Sequence, residues 1–173
     1  MKTVLHLIAF VFFMTSSISA QETTWKTYTT EAYEVKYPET WEFKILENSM
    51  LDFVVLCPLE SEDDKLRENI NLVKEGAQDL SINEYAESSI KMIELTFQKL
   101  KIISVKDITV NNIKMKKLNY TAKFGDDLLY FSQLYGIKDN IVYILTFTTE
   151  KKKEKKFKVS ENEIMANFKL ISE

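Results

Sequence analysis

Few kinds of side chain in this 173-residue chain can do chemistry: one histidine (His6), one cysteine (Cys57), two acidic clusters and one basic run. The acidic clusters are Glu60, Glu62, Asp63 and Asp64, and the pair Asp126-Asp127; the basic run is K-K-K-E-K-K at Lys151 to Lys156. Clustered carboxylates can cage a hard cation or share acid and base roles. The first cluster lacks the D-x-D-x-D-G order and turn glycine of a calcium loop, so it reads as a solvated loop. Asp126-Asp127 follows Gly125 and reads as a turn. Cys57 sits in the apolar run F-V-V-L-C-P with no second cysteine to pair with, which marks it as a small buried hydrophobe. Asn119-Tyr120-Thr121 has glycosylation-sequon spacing but lies inside a strand pattern. No glycine-rich phosphate loop is present, and the chain holds three glycines in all. Lys151, Lys152, Lys153, Lys155 and Lys156 remain as a candidate contact for an anionic partner or lipid surface, weighed against a solvated approach to the last helix.

The first twenty residues decide how much of this survives. Lys2, the apolar run Val4 to Met14 and T-S-S-I-S-A before Gln21 make the charged, apolar and small-residue succession of a secretory signal peptide. The apolar run is shorter than the ~20 residues of a membrane span, and no lipoprotein cysteine follows it. Cleavage after Ala20, or after Ser19, removes His6. A chain without imidazole has no Ser-His-Asp or Cys-His centre, no His-ligated zinc and no histidine switch. The mature chain has one basic residue fewer than the 23 of the whole, against 26 acidic residues, a balance that speaks against nucleic-acid binding. The expected organisation is a signal peptide, 1–20, and one domain, 21–173, of a size that supports a full core.

Any site must then be positioned by the elements of that domain. Leu80 to Leu100 is the long segment with a clear helical period. Ser81 and Glu84 have capping-box spacing, and Leu80 and Tyr85 sit where a hydrophobic staple closes a helix start. Ile82, Ala86, Ser89, Ile93, Phe97 and Leu100 form one stripe, a face that needs a sheet to cover it. Gln21 to Thr30 reads as an extended lead-in. Tyr33 to Tyr37 and Trp41 to Ile45 alternate as short strands joined by P-E-T. Phe53 to Cys57 reads as a strand covered on both sides, and Asn69 to Lys74 as a strand with Ile70 and Leu72 on one face. Ile102 to Val110 turns at Asn111-Asn112 into Ile113 to Phe124, whose apolar parity changes near Lys116-Lys117 and predicts a β-bulge there. Leu128 to Ile137 and Ile141 to Thr149, joined by Asp139-Asn140, are apolar on both parities and read as central strands. Ser160 with Glu163, and Val159 with Ile164, repeat the box and the staple, predicting a short last helix carrying Ile164, Met165 and Phe168.

The fold class expected is α+β: an α/β/α sandwich with a central, mainly antiparallel sheet, one long helix on one face and a short C-terminal helix on the other. This order resembles the PsbP-like family, which includes the extrinsic photosystem II subunit and exported bacterial relatives such as the DcrB-like proteins. The resemblance rests on Y-E-V-K-Y-P-E-T-W at Tyr33 to Trp41, S-I-N-E-Y at Ser81 to Tyr85 and E-I-M-A-N-F-K-L at Glu163 to Leu170. It implies the same sandwich and an accessory or binding role with no shared catalytic centre. The histidine-based metal binding of some plant members does not transfer to a mature chain without histidine. The reading expected is a secreted or periplasmic, non-enzymatic domain engaging a protein partner in the cell envelope, with no cofactor. The alternative is a carrier with a small apolar pocket between sheet and helix, suggested by the aromatic and methionine content; a carboxylate or Tyr/Lys enzyme comes third. The aromatic cluster Trp25, Tyr28, Tyr33, Tyr37 and Trp41 reads as packing, with an exposed subset as a possible hot spot.

Overall fold

A computed structural model describes residues 23–171 apart from 48, 63 and 65; the predicted signal segment, 1–20, lies outside the described residues. Ten strands and two α-helices follow in the order β1 (Trp25–Thr29), β2 (Tyr33–Pro38), β3 (Glu42–Ile45), β4 (Leu51–Leu56), β5 (Asn69–Gly76), α1 (Ile82–Thr96), β6 (Gln98–Val110), β7 (Ile113–Phe124), β8 (Asp127–Lys138), β9 (Ile141–Glu150), α2 (Glu154–Asn167) and β10 (Lys169–Leu170). The fold is α+β. An antiparallel seven-stranded sheet runs β3-β4-β5-β9-β8-β7-β6, and a three-stranded sheet runs β1-β2-β10.

β9 sits at the middle of the large sheet, and its two parities enter different cores. Tyr143, Leu145 and Phe147 join a cluster with Tyr33 and Val35 of β2, Ile70 and Leu72 of β5, and Phe157, Ile164 and Met165 of α2. Val142 and Ile144 join a second cluster with Tyr85, Ile90 and Ile93 of α1 and Leu118 and Tyr120 of β7. Alternation along a strand is what sends neighbouring side chains to opposite sides. The long hairpins are set by their turns. Asn111 and Asn112 (φ 49° and 67°) and Asp139 and Asn140 (φ 53° and 58°) are left-handed pairs, the backbone a two-residue type I′ turn needs and asparagine tolerates. Gly136 leaves room for the small sheet to dock: a Cβ there would lie 3.0 Å from Leu170 Cδ1 and 3.2 Å from Met115 Cε.

P-E-T joins two short strands as expected, although the two are not partners, because β2 pairs with β1 and β10 while β3 pairs with β4; Pro38 marks the passage between sheets. Four expectations need correction. The long helix ends at Thr96, and Phe97 is already extended (φ −106°, ψ 137°). Gln98 pairs with Lys123 of β7 and opens β6, and Leu100 still packs in the α1 cluster. β7 has no bulge at Lys116-Lys117, since both residues pair in regular register; the irregularities lie on β6, between Gln98 and Lys101 and between Ile102 and Ser104. The parity change arises because Ile113 and Met115 belong to the α2 cluster and Leu118, Tyr120 and Ala122 to the α1 cluster. β4 buries one face only, with Phe53, Val55 and Cys57 inside and Val54 and Leu56 half-exposed.

The fourth correction concerns the last helix. It begins at Glu154 after a 3₁₀ turn over Lys151–Lys153 and is 14 residues long, so Ser160 is interior and caps nothing. Lys, Glu and Arg are good helix formers, and E-K-K-F-K extends the helix well before Ser160. Its inner face starts at Phe157 and continues through Glu161, Ile164 and Met165, all buried. A carboxylate in that stripe conceals its period.

Candidate functional site

A cleft of about 530 Å³ opens between α1 and the sheet. Tyr85, Ser88, Ser89, Met92 and Ile93 of α1 form one wall, Gln133 and Tyr135 of β8 with Ile144 of β9 the floor, and Glu75, Gly76, Ala77, Gln78 and Leu80 the entry. Local structure fixes the entry. The Ser81 hydroxyl accepts from the Glu84 N–H while Glu84 accepts from the Ser81 N–H, completing the predicted capping box. Ahead of it, the Ala77 N–H donates to the Asn140 carbonyl (2.8 Å) and the Asp79 N–H to Asn140 Oδ1 (3.0 Å), tying the start of α1 to the β8–β9 turn.

Inside the cleft the Tyr135 hydroxyl donates to Gln133 Oε1, and Gln133 Nε2 donates to Thr146 Oγ1 at 3.3 Å. Burial pushes the Tyr135 phenol far above its ordinary value, so it works as a neutral hydrogen-bonding group. The cleft therefore offers neutral polar contacts, an apolar wall and one carboxylate, Glu75, at its mouth. Beside it α1 continues with two exposed apolar residues, Met92 (61%) and Leu95 (82%).

The basic run lies elsewhere and joins the acidic loop. Lys153 Nζ is 3.2 Å from Glu60, 3.1 Å from Asp64, 3.3 Å from Glu68 and 3.9 Å from Glu150. Burial pulls this ammonium down, but hydrogen bonds to Asp64 and Glu60 and the charge of Glu68 outweigh it and hold its pKa above the ordinary lysine value. Lys156 pairs with Glu60, Lys152 with Glu150 and Lys151 with Glu154, while Lys155 is exposed. The two charge runs thus bind each other across the β9–α2 junction. Glu68, fully buried, was not singled out in the sequence; its Oε1 accepts from Thr149 and Lys153, and its Oε2 has no hydrogen-bond partner among the described residues. Burial first, then the charges of Glu68 and Glu60, push the Cys57 thiol up to about 11, so it stays protonated at neutral pH.

Two further polar networks escape sequence reading. The Tyr33 hydroxyl donates to Asp52 Oδ2, and Lys74 lies 2.6 Å from Asp52 Oδ1, fastening β2 to β4 and β5. Glu161, fully buried in α2, takes Lys117 of β7 and Lys158 at 2.9 Å each and faces the Tyr130 hydroxyl. Its signal was present, since position 161 lies on the Phe157–Ile164 stripe and Lys117 shares a parity with Met115. Among the described residues no group of three or more His, Cys, Asp or Glu is placed to hold a metal ion, and no helix is long and apolar enough to cross a membrane.

A model of the PsbP-like protein family matches residues 14–170. No curated protein matches in sequence. Among the solved structures that share the fold are the following three. Cyanobacterial PsbP (CyanoP) from Synechocystis sp. PCC 6803 is 13% identical with a TM-score of 0.64, over 91% of this chain and 99% of its own. LpqN, involved in cell envelope biogenesis of Mycobacterium tuberculosis, is 10% identical with a TM-score of 0.66, over 87% of this chain and 92% of its own. PA94 from Pseudomonas aeruginosa, a protein of unknown function, is 14% identical with a TM-score of 0.61, over 86% and 97%.

Proposed function

The chain belongs to the PsbP-like protein family, and from that membership we propose that it is an exported, non-enzymatic accessory domain that engages a protein partner in the cell envelope. The observation that carries this reading is the match across nearly the whole chain to a family model, joined by the likeness to LpqN, a protein involved in cell envelope biogenesis. The chain is organised as a signal peptide, 1–20, and one domain, 21–173, delivered to the periplasm or secreted. The layering is an α/β/α sandwich, with α1 over one face of the central sheet and α2 and the small sheet over the other; the two separate apolar clusters support it. Buried Glu161, Ser132 and Thr149, and Glu68 through one of its oxygens, are engaged in ion pairs or hydrogen bonds that fasten elements together, which fits a binding domain.

A second reading has its own observation. The 530 Å³ cleft beside α1 has room for a small molecule and would make the protein a carrier of an uncharged, largely apolar ligand. Cross-linking in living cells of the source organism tests the first reading. A discrete adduct with a different polypeptide, lost when the exposed face of the domain is altered, is the expected result. Recovery of the unmodified chain alone at every cross-linker length contradicts it.

A further inference from the structure

The sheet face beside α2 is only partly covered. Residues paired across strands share a face, so the register of β6, β7 and β8 places Lys101 with Thr121 and Tyr130, Lys106 with Lys117 and Leu134, and Lys123 with Leu128 on the α2 side. Lys101 and Lys106 are exposed, and among the described residues neither has an ion-pair partner. Lys117 and Lys158 share the single carboxylate Glu161. Lys151 and Lys158 stand over the Tyr130 ring, 5.6 and 5.7 Å from its centroid. Six lysines therefore surround one strip of sheet along the flank of α2 against three carboxylates, Glu161, Glu154 beside Lys151 and Asp126 beside Lys123, in a chain whose formal net charge is −3.

That arrangement is not what stability alone selects. Like charges directly opposite on neighbouring strands destabilise a sheet, yet Lys106 faces Lys117. Lys117 is neutralised by Glu161, but Lys158 draws on the same carboxylate and leaves the strip with excess positive charge. We propose that this strip is a docking surface for an acidic, extended segment of a partner protein; it rests on the partner-binding reading above and gives that partner its chemistry. Charge complementarity selects an anionic occupant. Shape selects a chain over a bilayer, because a helix packed on a sheet stands well above it. A planar membrane would rest on α2 before it reached Lys101 and Lys106, whereas a single strand-like segment fits along the floor.

The test uses a fluorescent Glu-rich peptide, its Gln-for-Glu analogue, and vesicles of anionic or zwitterionic lipid, each titrated with the protein. The expected result is salt-sensitive binding of the Glu peptide, weak binding of the Gln analogue, and a several-fold loss of Glu-peptide affinity in Lys101→Gln and Lys106→Gln. Both variants keep or raise the melting temperature, because relief of like-charge crowding is not a loss of structure. Lys91→Gln, on the outer surface of α1, is the charge-matched control and binds as the parent does. Equal affinity in parent and strip variants overturns the proposal, as does binding to anionic vesicles without binding to the peptide. A partner that cross-links equally to the parent and to Lys101→Gln/Lys106→Gln overturns the strip while the partner-binding reading stands. A chain that takes no partner at all overturns both.

Discussion

Lys153 is the residue on which the most charge converges. Four carboxylates reach it, one of them the fully buried Glu68. Removing one member of a buried ion network leaves its partners desolvated and uncompensated, which costs about 3 kcal/mol or more. Lys153→Met is therefore expected to lower unfolding free energy by about that amount, measured by chemical denaturation. A change within experimental error would mean that water already solvates the cluster. The pH dependence has a sign at each end. Glu161 is penalised by burial, but the charge of Lys117 and the hydrogen bonds from Lys158 and Lys117 outweigh that and hold its carboxyl below the ordinary value of 4.5. Its contribution is present above that value and is lost as pH falls through the lower folded pKa. Lys153 has a raised pKa, so its contribution is full below the ordinary lysine value and fades as pH rises through the folded one. Glu161→Gln should be less stable than the parent at neutral pH and should show a shallower acid limb. Parallel acid limbs in the two proteins would rule out Glu161 as a source of the acid sensitivity.

At the scale of elements, the two predicted capping boxes make a controlled pair. Ser81 caps α1 with both reciprocal bonds in place, whereas Ser160 is interior to α2. Ser81→Ala should cost about 1 kcal/mol, and Ser160→Ala should change stability by no more than a few tenths of a kcal/mol in either direction. Thermal or urea unfolding of both variants checks this, and equal losses would contradict the assigned start of α2. The pair also shows what sequence can and cannot reveal. Hairpins with Asn-Asn and Asp-Asn turns, the α1 cap and the two-sided strands β8 and β9 are local signals, and the structure contains each of them. The start of α2 was hidden because Glu161 sits where an apolar residue was expected and is made tolerable by Lys117, 44 residues away along the chain. The route from β2 to β3 was hidden for the same reason: the sequence shows two strands and a proline, while partner choice depends on β10 at the far end of the chain. The acidic loop and the basic run were each legible as charge, but their mutual neutralisation is a tertiary fact.

For the whole molecule, α1 packs into one apolar cluster and α2 into the other. α1 borders the cleft floored by β8 and β9, and the proposed lysine strip lies on β6 and β7. None of this open surface could be read from periodicity, because it depends on where each helix comes to rest. The candidate lysines of the sequence reading divide accordingly: Lys153 belongs to the internal ion cluster, and Lys151 reaches the strip. The central claim is that these surfaces serve association with another protein. Native mass spectrometry of the protein purified gently from its source cells tests it most directly. The account predicts the mature chain from residue 21 in a defined complex with a second polypeptide, dissociating as salt is raised. A stoichiometric small-molecule adduct on an otherwise solitary chain would contradict it and place the function in the cleft beside α1.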